Sequence, residues 1–352
     1  MFRWPFRSES PAPSAHPETP RNPDGIEDQE KAGSGRWNFA PGTPIAEGRW
    51  VVKSLGGGSR YEACLVWDDR LFSLAVAKIL RPDHAEDPGA LRDLRREAEI
   101  LASLAHPVLV RGFGAVYEGK YPHVLIEYLE GPTLGRLIKR QRTLPLEQVL
   151  PLALHIAAAL QYLATERVVH LDVKPANIVM GVPPRLIDLS IARSFERATR
   201  LTDAIGTDAY MAPEQCDPLS WPGRIGHAAD VWGLGATLYH AIAGAVPFPR
   251  PRGASKSDQP AVRFPQLVRE AVPLPKGIPS SLENLVLRML AKEPEQRPAA
   301  REVALAREPL VAAQPWRLTF SSRGRPRAAR PRDSRLSLLE SRIDGEFASV
   351  TR

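Results

Sequence analysis

Val168-Val169-His170-Leu171-Asp172-Val173-Lys174-Pro175-Ala176-Asn177 sets a carboxylate, an ammonium and a carboxamide at i, i+2 and i+5, directly after a short apolar run of β character. A loop with that spacing can take a proton from an alcohol, neutralise a phosphoryl group and hold a metal ion. Eleven residues beyond Asn177, the run Leu186-Ile187-Asp188 ends in a second carboxylate able to face the same metal. In isolation the string also reads as a polar surface turn. The segments on either side decide between the two.

Upstream the texture is β. Residues 50–55, 63–67 and 72–78 read as successive short strands, and 91–104 as a helix with apolar residues at 91, 94, 98, 101 and 104. Residues 108–116 and 123–128 return to strand character. Downstream the pattern is helical over 146–164, 228–243 and 281–290, with Pro151 near the start of the first, where a missing N–H is tolerated. A β-rich half followed by an α-rich half predicts an α+β fold of two lobes with a cleft between them. The small lobe, a sheet with one main helix, spans 47–127, and the larger helical lobe spans 132–310.

Length and composition set the outer limits. A chain of 352 residues is long enough for two lobes with ample core. Cys64 and Cys216 are its only cysteines, too far apart for CxxC spacing, which argues against a disulfide framework or structural zinc and suits a reducing cytoplasm. No apolar run approaches roughly 18 residues, so no membrane span is expected. The start, Met1-Phe2-Arg3-Trp4-Pro5-Phe6-Arg7, has no h-region of a secretory signal, though its aromatic and arginine alternation could touch a membrane surface. Residues 1–46, with eight prolines by Pro44, are expected to be disordered. From Arg317 onward, nine arginines face four acidic residues and carry most of the net charge of +7. Residues 311–352 therefore read as a disordered tail, or as one that attracts nucleic acid, anionic lipid or acidic proteins.

Further motifs fall in order along the chain. Leu55-Gly56-Gly57-Gly58-Ser59-Arg60-Tyr61-Glu62-Ala63 joins the first two strands, and its glycines allow backbone N–H groups to approach phosphates, although a plain hairpin turn has the same composition. Val76-Ala77-Lys78 ends a strand, and Lys78 is costly there unless an anion meets it or it lies on a solvated edge. The helix offers Glu97, in register with Leu94 and Leu101, with Glu99 as the rival. Val124-Leu125-Ile126-Glu127-Tyr128-Leu129-Glu130-Gly131 closes the β-rich part. Beyond the loop come Gly206-Thr207-Asp208-Ala209-Tyr210-Met211-Ala212-Pro213-Glu214-Gln215, then Asp230 in Ala229-Asp230-Val231-Trp232-Gly233, and Arg297 in Lys292-Glu293-Pro294-Glu295-Gln296-Arg297-Pro298.

In this order the motifs resemble the eukaryotic-type (Hanks-type) serine/threonine protein kinases, over about residues 48–310. The resemblance implies transfer of the ATP γ-phosphoryl group to Ser or Thr of protein substrates, with magnesium, or manganese in its place, as the metal. It implies catalytic roles for Asp172, Lys174, Lys78, Glu97 and Thr207, and metal ligation by Asn177 and Asp188. The nucleotide would lie against Leu55, Gly56, Gly57, Gly58, Ala63, Ala77, Lys78, Ile126, Glu127, Leu129 and Val179. Glu214, Asp230 and Arg297 would be structural: Glu214 and Arg297 as a buried ion pair, Asp230 as a brace for the loop backbone. The peptide-docking segment after Gly206 favours a protein substrate over a small molecule.

Three letters depart from the family pattern. Tyr61 replaces the third glycine of the phosphate loop, Leu171 replaces the arginine that normally pairs with an activation-segment phosphate, and Ser190 replaces the glycine after Asp188-Leu189. Without that arginine, phosphorylation at Thr199 or Thr202 has no usual charge partner, so activity should not depend strictly on it. Ser334 and Ser337, near arginines in the tail together with Ser341, are candidate autophosphorylation sites. The alternative is a pseudokinase, a nucleotide-binding or scaffold module, motivated by the same three departures.

Overall fold

β-Branched and aromatic alternation builds the first half into one antiparallel sheet. Its strands are β1 (Pro44–Ala46), β2 (Arg49–Gly57), β3 (Tyr61–Asp68) and β4 (Ser73–Leu80), followed by helix α1 (Pro88–Ser103), β5 (Gly112–Val116) and β6 (His123–Glu127). The sheet order is β1-β2-β3-β4-β6-β5. In this computed structural model, residues 35–221, 224–251, 253 and 259–312 are described. Helix α1 starts where Asp87 accepts hydrogen bonds from the N–H groups of Gly89 and Ala90 with Pro88 in the first turn, and it buries Ala90, Leu94, Glu97 and Leu101. Three apolar residues and one glutamate on the same face turn that glutamate toward the sheet.

The second half is mostly helical: α2 (Leu134–Gln141) and α3 (Leu146–Thr165), then α4 (Phe195–Ala198), α5 (Pro213–Cys216), α6 (His227–Ala243), α7 (Pro260–Arg263), α8 (Ser280–Met289) and α9 (Ala300–Ala312). Between α3 and α4 lie four two-residue strands, β7 (Val168–Val169), β8 (Ile178–Val179), β9 (Arg185–Leu186) and β10 (Arg193–Ser194), with a 3-10 turn at Pro175–Asn177. Strand β7 pairs with β10 and β8 with β9, both antiparallel. Helix α3 is long and apolar enough, by length and composition, to cross a bilayer. Here it is a core helix, burying Leu152, Ile156, Leu160 and Leu163 and packing on α6. Helix α6 is apolar nearly all round and correspondingly buried. Gly233 on it allows close approach of the Val173 carbonyl, since a Cβ there would lie 2.9 Å from that oxygen. The carboxylate-to-amide loop is thereby seated on the central helix.

A separate apolar cluster fills the side of the sheet turned away from α1. It contains Val51, Cys64, Val66, Ala75, Ala77 and Ile79, with Trp37, Phe39 and Tyr121 packed against it. Its presence corrects the expectation of disorder for residues 35–46, while residues 1–34 lie outside the described residues. The Trp37 indole N–H donates to the Leu80 carbonyl at 2.8 Å and its backbone N–H to Glu62 Oε1 at 2.7 Å. Covering an apolar sheet face with two aromatic rings outweighs the prolines around them, and the Gly35 N–H donates to Asp83 Oδ2 at 3.0 Å. At the other end α9 runs to Ala312, two residues past the expected boundary. The tail serines and the first aromatic run lie outside the described residues.

Candidate active site

Two ionic clusters meet where the two halves face each other. Strand register sets Lys78 opposite Ala63 on β3 and Val124 on β6. Its Nζ donates to Glu97 Oε1 at 2.5 Å and to Asp188 Oδ1 at 2.8 Å. The Lys78 side chain is 12% exposed and that of Glu97 1%, so neither charge would be tolerated there alone. Burial works against charge on Lys78, but Asp188 and Glu97 overcome it and hold the ammonium above its ordinary range. Burial likewise opposes charge on Asp188, and Lys78 keeps its carboxyl well below the usual carboxylate range. Glu99 faces instead a shallow hollow shared with Ile100, Ser103 and Arg167.

The second cluster is a triangle on the loop itself. Thr207 Oγ1 donates to Asp172 Oδ1 at 2.8 Å, and Lys174 Nζ lies 2.6 Å from Thr207 Oγ1 and 2.8 Å from Asp172 Oδ2. Asn177 Nδ2 donates to the Asp172 carbonyl at 2.9 Å and to Asp172 Oδ2 at 3.1 Å, which turns its amide oxygen away from Asp172. The i, i+2, i+5 spacing works because the 3-10 turn at Pro175–Asn177 folds the chain back under the aspartate.

The loop is held under strain by groups beneath it. Leu171 has φ +68°, a left-handed conformation costing a bulky residue about 1–2 kcal/mol. Asp230, 3% exposed, accepts the N–H groups of His170 and Leu171 at 2.8 and 2.7 Å. Gln215 Nε2 donates to the Leu171 carbonyl at 2.9 Å. Below this, Arg297 meets both oxygens of Glu214 at 2.6 and 2.8 Å, with neither side chain exposed, and also donates to the carbonyls of Ala228, Ala291 and Lys292. Glu214→Ala would strand this guanidinium, and we expect a loss of about 3–5 kcal/mol of folding stability by denaturant titration. A loss below about 1 kcal/mol would contradict that account.

Leu171 is 3% exposed and joins Val169, Ala198 and Ile225 in an apolar cluster. Ile191, Phe195, Leu201 and Ile205 pack against the same cluster. The segment from 191 to 205 is therefore gathered around a leucine, where an arginine would have required an anion. Thr199, at the end of α4, donates its hydroxyl to the Glu196 carbonyl at 3.1 Å, and exposed Thr202 contacts Asp203 at 3.4 Å. Leu189 is buried, and Ser190 donates its N–H to Asp188 Oδ1 at 3.4 Å.

A nucleotide would meet the following surfaces. Gly57 has no room for a Cβ, which would lie 2.2 Å from the Tyr61 carbonyl, so the hairpin closes only with glycine there. Around Gly56 and Gly58 a Cβ would meet nothing within 4 Å. Tyr61 lies under Lys78, whose Nζ is 5.1 Å from the ring centroid. Burial, with Glu97 adding to it, pushes the Tyr61 phenol up to about 12, and its buried hydroxyl has no partner among the described residues. Val76 and Ile126 are cross-strand partners on the same face as Lys78, two residues along from it, and both pack in the core that borders the cleft. Ala77 is corrected here: strand alternation turns its methyl into the opposite cluster, and Val76 takes the cleft-facing place. The period-2 rule applied backward from Lys78 finds Val76. Glu127 gives its N–H to the Arg111 carbonyl at 2.9 Å and its side chain to Arg185, so a ligand edge would be met by its carbonyl. Leu129 is partly buried, and Val179 is 8% exposed beside Gly131.

The donors suit a magnesium ion shared with phosphates: hard oxygens from Asp188 and Asn177, with the remaining ligands from the nucleotide and water. Among the described residues no group of three or more His, Cys, Asp or Glu could hold a metal by itself. A jointly held ion needs none.

Comparison with known proteins agrees with this geometry. The family described as "Protein kinase domain" matches residues 50–307. The chain is 34% identical over 261 residues to serine/threonine-protein kinase PknB of Mycobacterium leprae, covering 69% of this chain and 39% of that protein. It is 32% identical to PknB of Mycobacterium tuberculosis over 262 residues, with the same coverage. A probable serine/threonine-protein kinase of Streptomyces coelicolor is 31% identical over 280 residues, 74% of this chain and 39% of that protein. The chain thus spans about two fifths of the length of these curated relatives.

Proposed function

Since the chain belongs to the protein kinase domain family, we propose that it transfers the γ-phosphoryl group of ATP to serine or threonine hydroxyls of protein substrates. The observation that carries this reading is the approach of Asp172, Lys174 and Thr207 to within 2.8 Å of one another, beside the Lys78–Asp188 pair. Every side chain that the reaction needs is present.

In this reading Asp172 accepts the proton of the substrate hydroxyl as the new O–P bond forms and the bond from the γ-phosphorus to the β,γ-bridging oxygen breaks, releasing ADP. Thr207 and Lys174 orient its two oxygens, so the carboxylate is aimed before substrate arrives. Lys174 faces the transferring group and offsets its negative charge. Lys78, aligned by Glu97, holds the nucleotide phosphates from the β-rich lobe. Asp188 and Asn177 would hold magnesium, which supplies charge neutralisation between the β and γ phosphates. Manganese is the alternative ion. A reducing cytoplasm suits the two unpaired, buried thiols of Cys64 and Cys216, and a role in signal transduction follows from the kinase reading alone.

The apolar packing around Leu171 supports activity independent of activation-segment phosphate. Thr199→Ala and Thr202→Ala are expected to keep turnover within about twofold of wild type, as surface changes usually do. Leu171→Arg buries an unpaired cation in the cluster and is expected to abolish most activity. A large loss in either threonine variant would refute the independence. A pseudokinase is the second reading, favoured only by Tyr61 lying under the phosphate loop against Lys78. Phosphoproteomic comparison of cells carrying the wild type or Asp172→Asn tests the main reading: Ser/Thr sites should disappear in the variant, and identical phosphoproteomes would overturn it.

A further inference from the structure

Asp208 follows Thr207 directly and is gripped from outside its own segment by two cations. Arg263, the last residue of α7, donates Nε to Asp208 Oδ2 and Nη2 to Oδ1, both at 3.1 Å. Arg250 donates Nη2 to the same Oδ2 and is steadied by its Nε on the Arg263 carbonyl at 2.8 Å. The backbone is fixed as well, since Gln266 Nε2, on a residue 1% exposed, donates to the Asp208 carbonyl at 2.7 Å and the Met211 carbonyl at 3.1 Å. The Asp208 side chain is 14% exposed, and each arginine side chain is 30% exposed. Burial raises the Asp208 carboxyl, but Arg263 and Arg250 hold it below its usual range, so the carboxylate stays charged near neutrality. Among the described residues, two guanidiniums against one carboxylate leave positive charge at the surface.

The position of this charge gives it a use. Thr207 Oγ1 is 2.8 Å from Asp172 Oδ1, where the acceptor hydroxyl would be deprotonated. Asp208 is one Cα step, about 3.8 Å, farther along. An extended substrate advances about 3.3–3.6 Å per residue, so residues within two positions of the acceptor lie within about 7 Å of it.

Resting on the kinase reading above, we infer that Arg250 and Arg263 select protein substrates carrying aspartate or glutamate within two residues of the phosphorylated Ser or Thr. Asp208 has the opposing effect: it aims the two guanidiniums while lowering the net charge the substrate meets. The interaction is partly exposed and therefore salt-dependent.

The test uses the full chain and two peptides of equal length with one serine, flanked at the neighbouring positions by glutamate or by lysine. The wild type is expected to favour the glutamate peptide by about fivefold or more in kcat/KM at low salt, less at high salt. Arg250→Gln with Arg263→Gln should bring the ratio to about one or below, whereas Asp208→Asn should raise it. A role confined to holding the loop would lower turnover on both peptides equally and leave the ratio alone. The opposite sign expected for Asp208→Asn keeps the test decisive even if the double variant melts early. Transfer by the wild type without charge preference, or ratios unmoved in the variants, would overturn this inference alone. No transfer to peptides or to any protein would overturn the kinase reading and the inference together.

Discussion

Asp172→Asn is expected to lower the turnover of phosphoryl transfer by about two to four orders of magnitude, the range of a positioned general base. The substitution keeps size and shape but removes the proton acceptor. It also disturbs the pattern of donors: Thr207 Oγ1, Lys174 Nζ and Asn177 Nδ2 all point hydrogens at the two carboxylate oxygens. An amide would set one of its own N–H groups against them. Because Asp230 and Gln215 fix the backbone independently of the Asp172 side chain, melting temperature and nucleotide affinity should change little. Turnover within tenfold of wild type would show that the proton goes elsewhere.

Lys78→Met should be nearly as severe, for a different reason. It removes a cation that faces the phosphates, a change that typically costs about 10²–10³ in turnover. It also leaves Glu97 and Asp188 without their shared partner in a buried place, a defect of about 3–5 kcal/mol in stability. The pH dependence follows from Asp188. In the wild type its carboxyl is held below the unfolded value, so its stabilising contribution is present above about pH 4 and lost only as pH falls through the lower, folded value. With Lys78 gone, burial raises that carboxyl instead, and its charged form becomes destabilising as pH rises. The gap in melting temperature between wild type and variant should therefore be wide at neutral pH, shrink progressively as pH falls, and close only well below about pH 4, towards the depressed folded value of Asp188. A gap independent of pH would mean that Lys78 and Asp188 are not coupled.

Much of the site was legible because phosphoryl transfer asks for few groups at fixed spacing. Asp172, Lys174 and Asn177 share one loop and could be read as a unit, and Asp188 ends the next apolar run. Glu97 was distinguishable from Glu99 because only Glu97 shares a helical face with Leu94 and Leu101, the face that α1 buries. What stayed hidden depended on long-range packing. Ala77 rather than Val76 looks cleft-facing when a motif is matched letter by letter without applying strand alternation. The two aromatic rings at Trp37 and Phe39 sit among prolines, and nothing local says that a distant sheet face needs covering. Helix α2 is only eight residues long and starts on a Thr133 cap, too short for periodicity to reveal. The meaning of Leu171 was half visible. Its identity announces a missing cation, whereas the cluster with Ala198, Leu201, Ile205 and Ile225 that stands in for the charge pair joins residues up to 54 apart in sequence.

The most direct test of the account is incubation of the purified 352-residue chain with magnesium and γ-labelled ATP, with a general protein acceptor present, followed by phosphoamino acid analysis. The account predicts label on phosphoserine and phosphothreonine, absent from the Asp172→Asn protein under the same conditions. Nucleotide binding by the wild type without transfer of label would contradict it and leave a binding module in place of an enzyme.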